Sequence, residues 1–242
     1  MVPLEGIPEL HEGDDLGQEL YEAARRIGGL EAGDVVVVAQ KAVSKVEGRV
    51  VRLAEVEASE RARELAGPDG DPQHLEVILR ESAEIVRSRP PLVIAQTRHG
   101  FVCASAGVDA SNAPEEGTLV LLPLDPDASA GALRDRLHSL AGVDVGVIVS
   151  DSFGRAWRQG TTDVALGVAG LAPLRDLRGT LDAGGHELRT TQIAVADEIA
   201  GAAELVLGKA ARIPAARVRG VDVQGDGRGV DLIMPRERDL FR

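Results

Sequence analysis

Three short aliphatic runs constrain the fold of this chain most strongly, because each one passes directly into a polar segment. The runs are DVVVVA at 34–39, TLVLLPL at 118–124 and VDVGVIVS at 143–150. Runs of this length, rich in valine, leucine and isoleucine, are typical of strands that lie inside a sheet. We therefore predict three buried strands with polar side chains at their ends.

Helical periodicity occupies much of the sequence around these strands. Apolar residues recur every third or fourth position, and capping residues mark several of the ends. The predicted helices span 16–29, 59–67, 72–88, 125–140 and 190–210. In the helix at 72–88, the side chains expected to face the core are Leu75, Ile78, Leu79 and Ile85.

The order of the predicted elements favours an α+β fold. A hairpin is predicted at 92–107, with RHG as its turn, and another strand at 214–221. Glycines interrupt the apolar pieces between 164 and 185, which indicates close backbone packing rather than a long helix. Because strands and helices do not alternate in a strict βαβ rhythm, we predict one domain over 1–242, with mixed sheets and packed helices.

Composition excludes several classes of protein. The net charge of −12 disfavours binding to nucleic acid or to an anionic membrane. No apolar run reaches the ~18 residues of a spanning helix, and the first residues lack a signal-peptide pattern. Cys103 is the only cysteine, so no internal disulfide can form, and we expect a small buried side chain there. These features predict a soluble, cytoplasmic protein.

Two acid-bearing segments carry the strongest chemical signal. AGVDASN places Asp109 and Asn112 three residues apart in a loop, and VSDSFGR places Asp151 and Ser152 directly after a buried strand. Carboxylates at strand ends, joined by hydroxyl or amide oxygens, are ligands that Mg²⁺ or Mn²⁺ prefers. The alternative is that each aspartate only stabilises a turn with its own backbone.

Lysine is rare in this chain and has a restricted distribution. Lys41, Lys45 and Lys209 are the three lysines among 27 basic residues. Lys41 and Lys45 follow the first buried strand, together with Gln40, and can present donors to phosphate. A solvated surface turn has the same composition. The segment around Lys209 lacks the Ser/Thr of a P-loop, so no standard phosphate-binding motif is present.

Cationic and aromatic side chains also follow Asp151. Arg155 or Arg158 can hold a carboxylate or a phosphate through paired hydrogen bonds. Trp157, the only tryptophan, either stacks on a flat ring or fills the core.

Several stretches occur together in an order that resembles a known family. They are GIPEL…GDDL, GDVVVVAQKAVSKVEGR, AGVDASN, LLPLDPDASA, VIVSDSFGRAWRQGTTDVALGVAGLAPLRDLRG and AVADEIAGAAELVLGKA. The chain resembles the coenzyme F420:L-glutamate ligase family over about residues 5–220. This resemblance implies a GTP-dependent ligase that adds L-glutamate to the lactyl carboxylate of the deazaflavin F420 precursor, and then further γ-linked glutamates. It also implies two Mg²⁺ or Mn²⁺ ions, activation by K⁺ and an intertwined homodimer.

The resemblance assigns roles to individual residues. Asp109 and Asp151 would hold the first metal ion, and Ser152 would help to hold the second. Arg155, inferred from its capacity for paired hydrogen bonds and not from the resemblance, completes the predicted catalytic set. The loop from Gly208 to Ala216 would close over the nucleotide. The residues expected to meet GTP are Ile7, Pro8, Glu9, Leu10, Gln40, Lys45, Asn112, Gly208 and Lys209.

Two other functions remain open from the sequence. The same aspartates could serve a metal-dependent phosphohydrolase that uses water as its nucleophile, or the chain could be a non-catalytic nucleotide-binding subunit. Some relatives continue into a flavin-binding reductase domain. Because this sequence stops at DLFR, we expect the single-domain form.

Overall fold

The structure is a computed structural model that describes residues 1–241. The helices are α1 (Leu16–Arg26), α2 (Gln40–Val46), α3 (Glu60–Ala66), α4 (Pro72–Glu81), α5 (Pro126–Ala141) and α6 (Val195–Leu207). The strands are β1 (Val2–Pro3), β2 (Val35–Ala39), β3 (Val50–Arg52), β4 (Ser82–Arg89), β5 (Leu92–Thr97), β6 (Val102–Ala104), β7 (Thr118–Val120), β8 (Gly146–Arg155), β9 (Arg158–Ala169), β10 (Arg175–Asp176), β11 (Gln192–Ile193) and β12 (Ala215–Val218).

A five-stranded sheet in the order β1-β12-β2-β8-β9 lies at the centre of the fold. Strands β2 and β8 are parallel, and the other neighbours in this sheet are antiparallel. Val36 and Val38 of β2 pack with side chains of α1 and α5, whereas Val35 and Val37 pack with α6 on the opposite face. A strand covered on both faces needs apolar side chains at every position, because successive side chains alternate between faces. The buried strands predicted at 34–39 and 143–150 are confirmed.

A second, smaller core lies beside the central sheet. Helices α3 and α4 pack with the three-stranded sheet β4-β5-β6, and the predicted hairpin at 92–107 supplies β5 and β6. The third aliphatic run forms β7, which pairs with β3 outside the central sheet. Antiparallel and parallel pairs together with packed helices confirm the α+β class.

Among residues 1–241, no helix combines the length and the apolarity needed to cross a bilayer.

The helix predicted over 72–88 is wrong in its second half. Helix α4 ends at Glu81, and Ser82–Arg89 form β4, which pairs with β5. At the boundary, the Ser82 hydroxyl donates to the Ile78 carbonyl at 2.6 Å. Ile85 therefore lies on a strand, opposite Ala95, and not on the helix face expected for it. The ladder of hydrogen bonds to β5 outweighs the helix propensity of the Ala and Glu residues in this segment.

The polar stretch after Asp151 forms a long hairpin, because the strand predicted over 143–150 continues past Ser150. Strand β8 continues to Arg155, and β9 begins at Arg158, so that the two strands pair beyond the edge of the core. Trp157 lies in the turn with a φ of 57° and is 84% exposed. The alternative that Trp157 fills the core is therefore wrong, because the turn carries it into solvent.

The close packing predicted between 164 and 185 is confirmed at Gly167. A Cβ atom on this residue of β9 would lie 1.9 Å from the carbonyl oxygen of Pro126 in α5. The Asp127 carboxylate also accepts a hydrogen bond from the Val168 N–H at 2.9 Å. The first turn of α5 thus lies directly on the backbone of β9.

Candidate active site

A cavity of about 700 Å³ opens where the carboxyl ends of β2 and β8 meet. Because these strands are parallel, with Ala39 beside Ser150, the residues that follow them reach the same edge of the sheet. The cavity brings together Asp151, Ser152 and every residue that the sequence assigned to GTP. The assigned residues in its wall are Ile7, Pro8, Glu9, Leu10, Gln40, Lys45, Asn112, Gly208 and Lys209.

Among the acids in this wall, Asp151 has the carboxylate whose negative charge is least offset by nearby donors and cations. Burial, with smaller contributions from the nearby carboxylates of Asp163 and Asp109, raises the pKa of its carboxyl to about 7. The Ser152 N–H and the Lys41 ammonium act in the opposite direction, but they do not compensate. A carboxylate that is hard to ionise in the absence of a ligand indicates a position where a cation is favoured.

Asp109 lies beside the cavity and is paired with Lys41. The Lys41 ammonium donates to Oδ2 of Asp109 and to the Ser111 hydroxyl, each at 2.6 Å. Burial alone would raise the pKa of Asp109, but the hydrogen bonds from Lys41 and Ser111 outweigh it, so the pKa lies below its usual value. Backbone hydrogen bonds to Val120 hold Asp109 in place next to β7.

Two further acids line the cavity and were not predicted as site residues. Asp163 lies opposite Ser152 in the β8–β9 hairpin and accepts hydrogen bonds from the hydroxyls of Ser150 at 2.9 Å and Ser152 at 2.7 Å. Glu204 of α6 accepts a hydrogen bond from the Asp163 N–H at 3.1 Å. Asp163 lies in the same polar stretch as Asp151, but only the strand register shows that it faces the site. For Glu204, the sequence carries no comparable signal.

Gln40 presents an unsatisfied donor in the wall of the cavity. Its side chain is 1% exposed, and its Oε1 accepts from the Ser44 hydroxyl at 2.8 Å. Its Nε2 has no hydrogen-bond partner in the described part of the chain. Because an unpaired buried donor is costly, Gln40 favours a ligand with acceptor oxygens.

Two contacts join other assigned residues in the cavity wall. Lys45 is paired with Glu9 at 2.5 Å. The Asn112 side-chain amide donates to the Lys209 carbonyl at 3.4 Å, which joins two loops that are 97 residues apart in sequence.

The structure does not bring Arg155 to this cavity. Arg155 and Arg158 lie at the exposed end of the β8–β9 hairpin, beyond the residues that form the cavity wall.

Cys103 is buried as expected, and burial raises the pKa of its thiol to about 12. It is therefore an inert thiol rather than a nucleophile.

The chemistry of the wall suits a divalent cation, although the arrangement is not ready to hold one. Asp151, Ser152, Asp163 and Glu204 all present oxygen atoms, which Mg²⁺ and Mn²⁺ prefer. Within residues 1–241, however, no three His, Cys, Asp or Glu side chains are already grouped to hold an ion. A divalent ion at Asp109 would also compete with Lys41 for Oδ2.

Comparison with known proteins gives a consistent match. Residues 6–220 match a family model described as F420-0:Gamma-glutamyl ligase. A coenzyme F420:L-glutamate ligase of Methanothermobacter thermautotrophicus is 42% identical over 248 residues, which cover 100% of this chain and 98% of the relative. Proteins of the same name from Methanopyrus kandleri and Archaeoglobus fulgidus are 46% and 43% identical, and the matches cover 100% of this chain and 96% of each relative.

Proposed function

The chain belongs to the F420-0:gamma-glutamyl ligase family, and from this premise we propose that it is the coenzyme F420 ligase that uses GTP and divalent cations to join L-glutamate to the deazaflavin F420 precursor. The match over the full chain makes the protein a ligase of coenzyme F420 biosynthesis. The observation that supports the finer proposal is that one cavity contains all the residues assigned to GTP, together with Asp151 and Ser152.

The proposed reaction proceeds through an acyl phosphate. A carboxylate is a poor electrophile, because it is an anion and oxide is a poor leaving group. One oxygen of the lactyl carboxylate attacks the γ-phosphorus of GTP, the bond to the β-phosphate oxygen breaks, and GDP leaves. The amine of L-glutamate then attacks the acyl carbon, the amine loses a proton, and inorganic phosphate leaves with the electrons of the broken C–O bond. The amide remains.

The residues in the wall have separate tasks in this proposal. The Gln40 amide and the Lys45 ammonium donate to the phosphates, and the backbone of Ile7–Leu10 lies along the guanine base. The loop that begins at Gly208 covers the nucleotide, with Lys209 near phosphate. Glu204 is a carboxylate in the wall that can accept the proton released by the attacking amine.

The metal ions of the proposal would bind to the carboxylates. Asp109 and Asp151 would hold one ion, and Ser152 would help to hold the other. When bound, these ions supply the positive charge that lets a carboxylate approach a triphosphate. Activation by K⁺, addition of more than one glutamate, the homodimer and a cytoplasmic location are further parts of the proposal, and they rest on the family resemblance.

Mass spectrometry of the reaction products tests the proposed function. Purified protein is incubated with the deazaflavin precursor, GTP, Mn²⁺ and L-glutamate. We expect the precursor to gain the mass of one or more glutamyl residues, with one phosphate released for each. Phosphate release without glutamate would indicate a phosphohydrolase instead, and nucleotide binding without turnover would indicate a non-catalytic subunit.

Lys45→Ala tests the nucleotide side of the cavity. We expect the KM for GTP to rise about tenfold, with a smaller fall in kcat, because a charge-assisted contact to phosphate is lost in both the ground state and the transition state. Steady-state kinetics with GTP varied gives both constants, and the KM for L-glutamate is the internal control. An unchanged KM for GTP would remove Lys45 from the nucleotide site.

A further inference from the structure

Lys41 occupies a position that the proposed chemistry leaves unexplained. Its ammonium lies 2.6 Å from Oδ2 of Asp109, one of the two carboxylates proposed to hold a metal ion. The Lys41 side chain is 14% exposed and forms part of the cavity wall. A positive charge thus already stands at the carboxylate where a divalent cation is expected.

The surroundings of Lys41 indicate a designated counter-ion rather than a surface ion pair. The Ser111 hydroxyl, which accepts from Lys41, also donates to Oδ2 of Asp109 at 2.7 Å, and the Ser111 N–H donates to Oδ1 at 2.7 Å. Ammonium, hydroxyl and carboxylate therefore form a closed triangle. Such short, charge-assisted contacts in a partly buried place are stronger than exposed ion pairs.

The acids at this site are not already grouped to hold a metal ion. Within the described residues, no cluster of three acidic or imidazole side chains is ready for a metal. Asp109 is engaged by Lys41, while Asp151, Asp163 and Glu204 line the cavity. Since Lys41 has a flexible four-carbon stem that begins at the cavity wall, the ammonium can leave Asp109 without a change in the backbone.

We propose that Lys41 is an exchangeable counter-ion, which neutralises Asp109 in the metal-free protein and gives up that carboxylate when a divalent cation binds. The displaced ammonium remains in the cavity, where the phosphates of the nucleotide are its new partner. Metal and nucleotide would therefore assist each other, because the nucleotide stabilises the displaced position of Lys41. The inference rests on the metal dependence in the proposed function and adds a residue to that site.

Calorimetric titration of the nucleotide-free protein with Mn²⁺ measures the competition directly. Lys41→Met removes the ammonium and keeps a flexible side chain, and we expect it to lower the dissociation constant for Mn²⁺ about tenfold, because the ion displaces no bound cation. Lys41→Arg keeps the charge and presents a rigid fork to the carboxylate, so binding should be no tighter than in the wild type.

Lys45→Met is the matched control for the titration. It removes the same charge from the same cavity, but the partner of Lys45 is Glu9 and not Asp109. A general electrostatic effect would change Mn²⁺ binding equally in Lys45→Met and Lys41→Met. We expect the change in Lys45→Met to stay below about threefold, because Lys45 forms no ion pair with Asp109 and the effect of its charge on that carboxylate is partly screened by salt.

A second measurement uses the wild-type protein and so does not depend on the folding of a variant. Because the chain has three lysines, trace acetylation with acetic anhydride followed by mass spectrometry reports on Lys41, Lys45 and Lys209 separately. The ammonium held by Asp109 should react slowly, and Mn²⁺ should increase the labelling of Lys41 relative to exposed Lys209. Labelling of Lys41 that does not respond to Mn²⁺ would overturn the proposal, as would equal Mn²⁺ affinities of the wild type and Lys41→Met.

These results separate failure of the inference from failure of the proposed function. If Lys41→Met binds Mn²⁺ more tightly and no protein forms a glutamylated product, the exchange is supported and the ligase proposal fails. If the wild type forms the product but the Mn²⁺ affinities are equal, the ligase proposal stands and the exchange is refuted.

Discussion

At the scale of single residues, charge balance distinguishes the acids of the cavity from those elsewhere in the molecule. Asp151 has a raised pKa because burial and two neighbouring carboxylates outweigh its donors. Asp34 is fully buried, yet its carboxylate is held by a bidentate contact from Arg219. The Asp151 carboxylate therefore favours binding of a cation that the protein does not itself supply, whereas the Asp34 carboxylate is already paired with Arg219.

We expect Asp151→Asn to lower kcat for glutamyl transfer by at least about 10³-fold, because an amide does not hold a divalent cation against the phosphates. The fold should survive, since the substitution removes a poorly compensated charge. Product formation measured by mass spectrometry and thermal unfolding without metal check the two statements. Asp135→Asn, on the exposed face of α5, is the control and should remain active. Full turnover by Asp151→Asn would contradict the metal assignment.

Asp34 predicts a pH dependence of stability. Burial alone would raise the pKa of this carboxyl, but the hydrogen bonds from Arg219 and from the Glu31 N–H outweigh it, so the pKa lies below its ordinary value of 3.8. The unfolded chain therefore binds more protons than the folded one near that pH. The stabilising contribution is present above about pH 4 and is lost as the pH falls further.

Asp34→Asn should accordingly lower the free energy of unfolding by about 1–2 kcal/mol at pH 7, because it weakens the charge-assisted hydrogen bonds between buried Asp34 and solvent-exposed Arg219. The difference from the wild type should shrink below pH 4. Denaturant titrations across this pH range measure it. Asp176→Asn is the control, because Asp176 forms a similar pair with Arg178 that is exposed to solvent, and little change is expected there. A constant difference at all pH values would argue against the assignment.

At the scale of elements, the contact between α5 and β9 fixes the hairpin that carries Asp151 and Asp163. The Asp127 carboxylate in the first turn of α5 accepts from Val168 of β9 at 2.9 Å and from Gly229 at 2.6 Å. Gly167 allows this approach because it has no side chain. The hairpin that carries these acids is thus held by a backbone contact between residues outside the cavity wall.

Gly167→Ala should destabilise the protein by at least about 3 kcal/mol, because the added methyl group would overlap the Pro126 carbonyl and the two backbones would have to separate. Gly131→Ala provides the matched control in α5, where an added Cβ would meet nothing within 4 Å. That substitution should stabilise the protein by about 0.5–1 kcal/mol, since alanine favours a helix over glycine. Chemical denaturation of both variants is the measurement, and equal stabilities would contradict the packing argument.

At the scale of the whole molecule, the end of the β8–β9 hairpin extends beyond both cores. The residues from Gly154 to Gly160 are exposed, and the Trp157 ring lies 4.9 Å from the ring of Phe241, which is also exposed. Large aromatic side chains in solvent are typical of surfaces that meet another chain. The homodimer expected from the family resemblance would give this hairpin a partner.

If the protein forms the proposed homodimer, we expect Trp157→Ser to raise its dissociation constant at least about tenfold, because buried aromatic anchors dominate many interfaces. The unfolding of the monomer should change little, since Trp157 is 84% exposed within one chain. Sedimentation velocity over a range of protein concentrations measures the dissociation. A dimer that is unaffected by the substitution would place the interface elsewhere.

The sequence predicted the elements that are marked by a pattern in their own residues. The valine run of β2 shows burial on both faces. Aspartates also mark the starts of α1 and α5: the sequence allowed Asp14 or Asp15 as the cap of α1, and the structure shows Asp15 there and Asp125 at α5. It failed for Ser82–Arg89, because that segment becomes a strand only when β5 lies beside it. It also failed for the end of β8, because pairing with β9 extends this strand to Arg155, past its predicted end at Ser150.

The sequence by itself determined the set of buried strands, the acid-bearing segments and the family. Each of these can be recognised from residues that are consecutive in the chain. Tertiary structure alone decided that Asp163 and Glu204 join Asp151, that Arg155 stays outside, and that Lys41 rests on Asp109. These contacts depend on strand register and helix packing between residues far apart in the chain, so they form only when the chain folds.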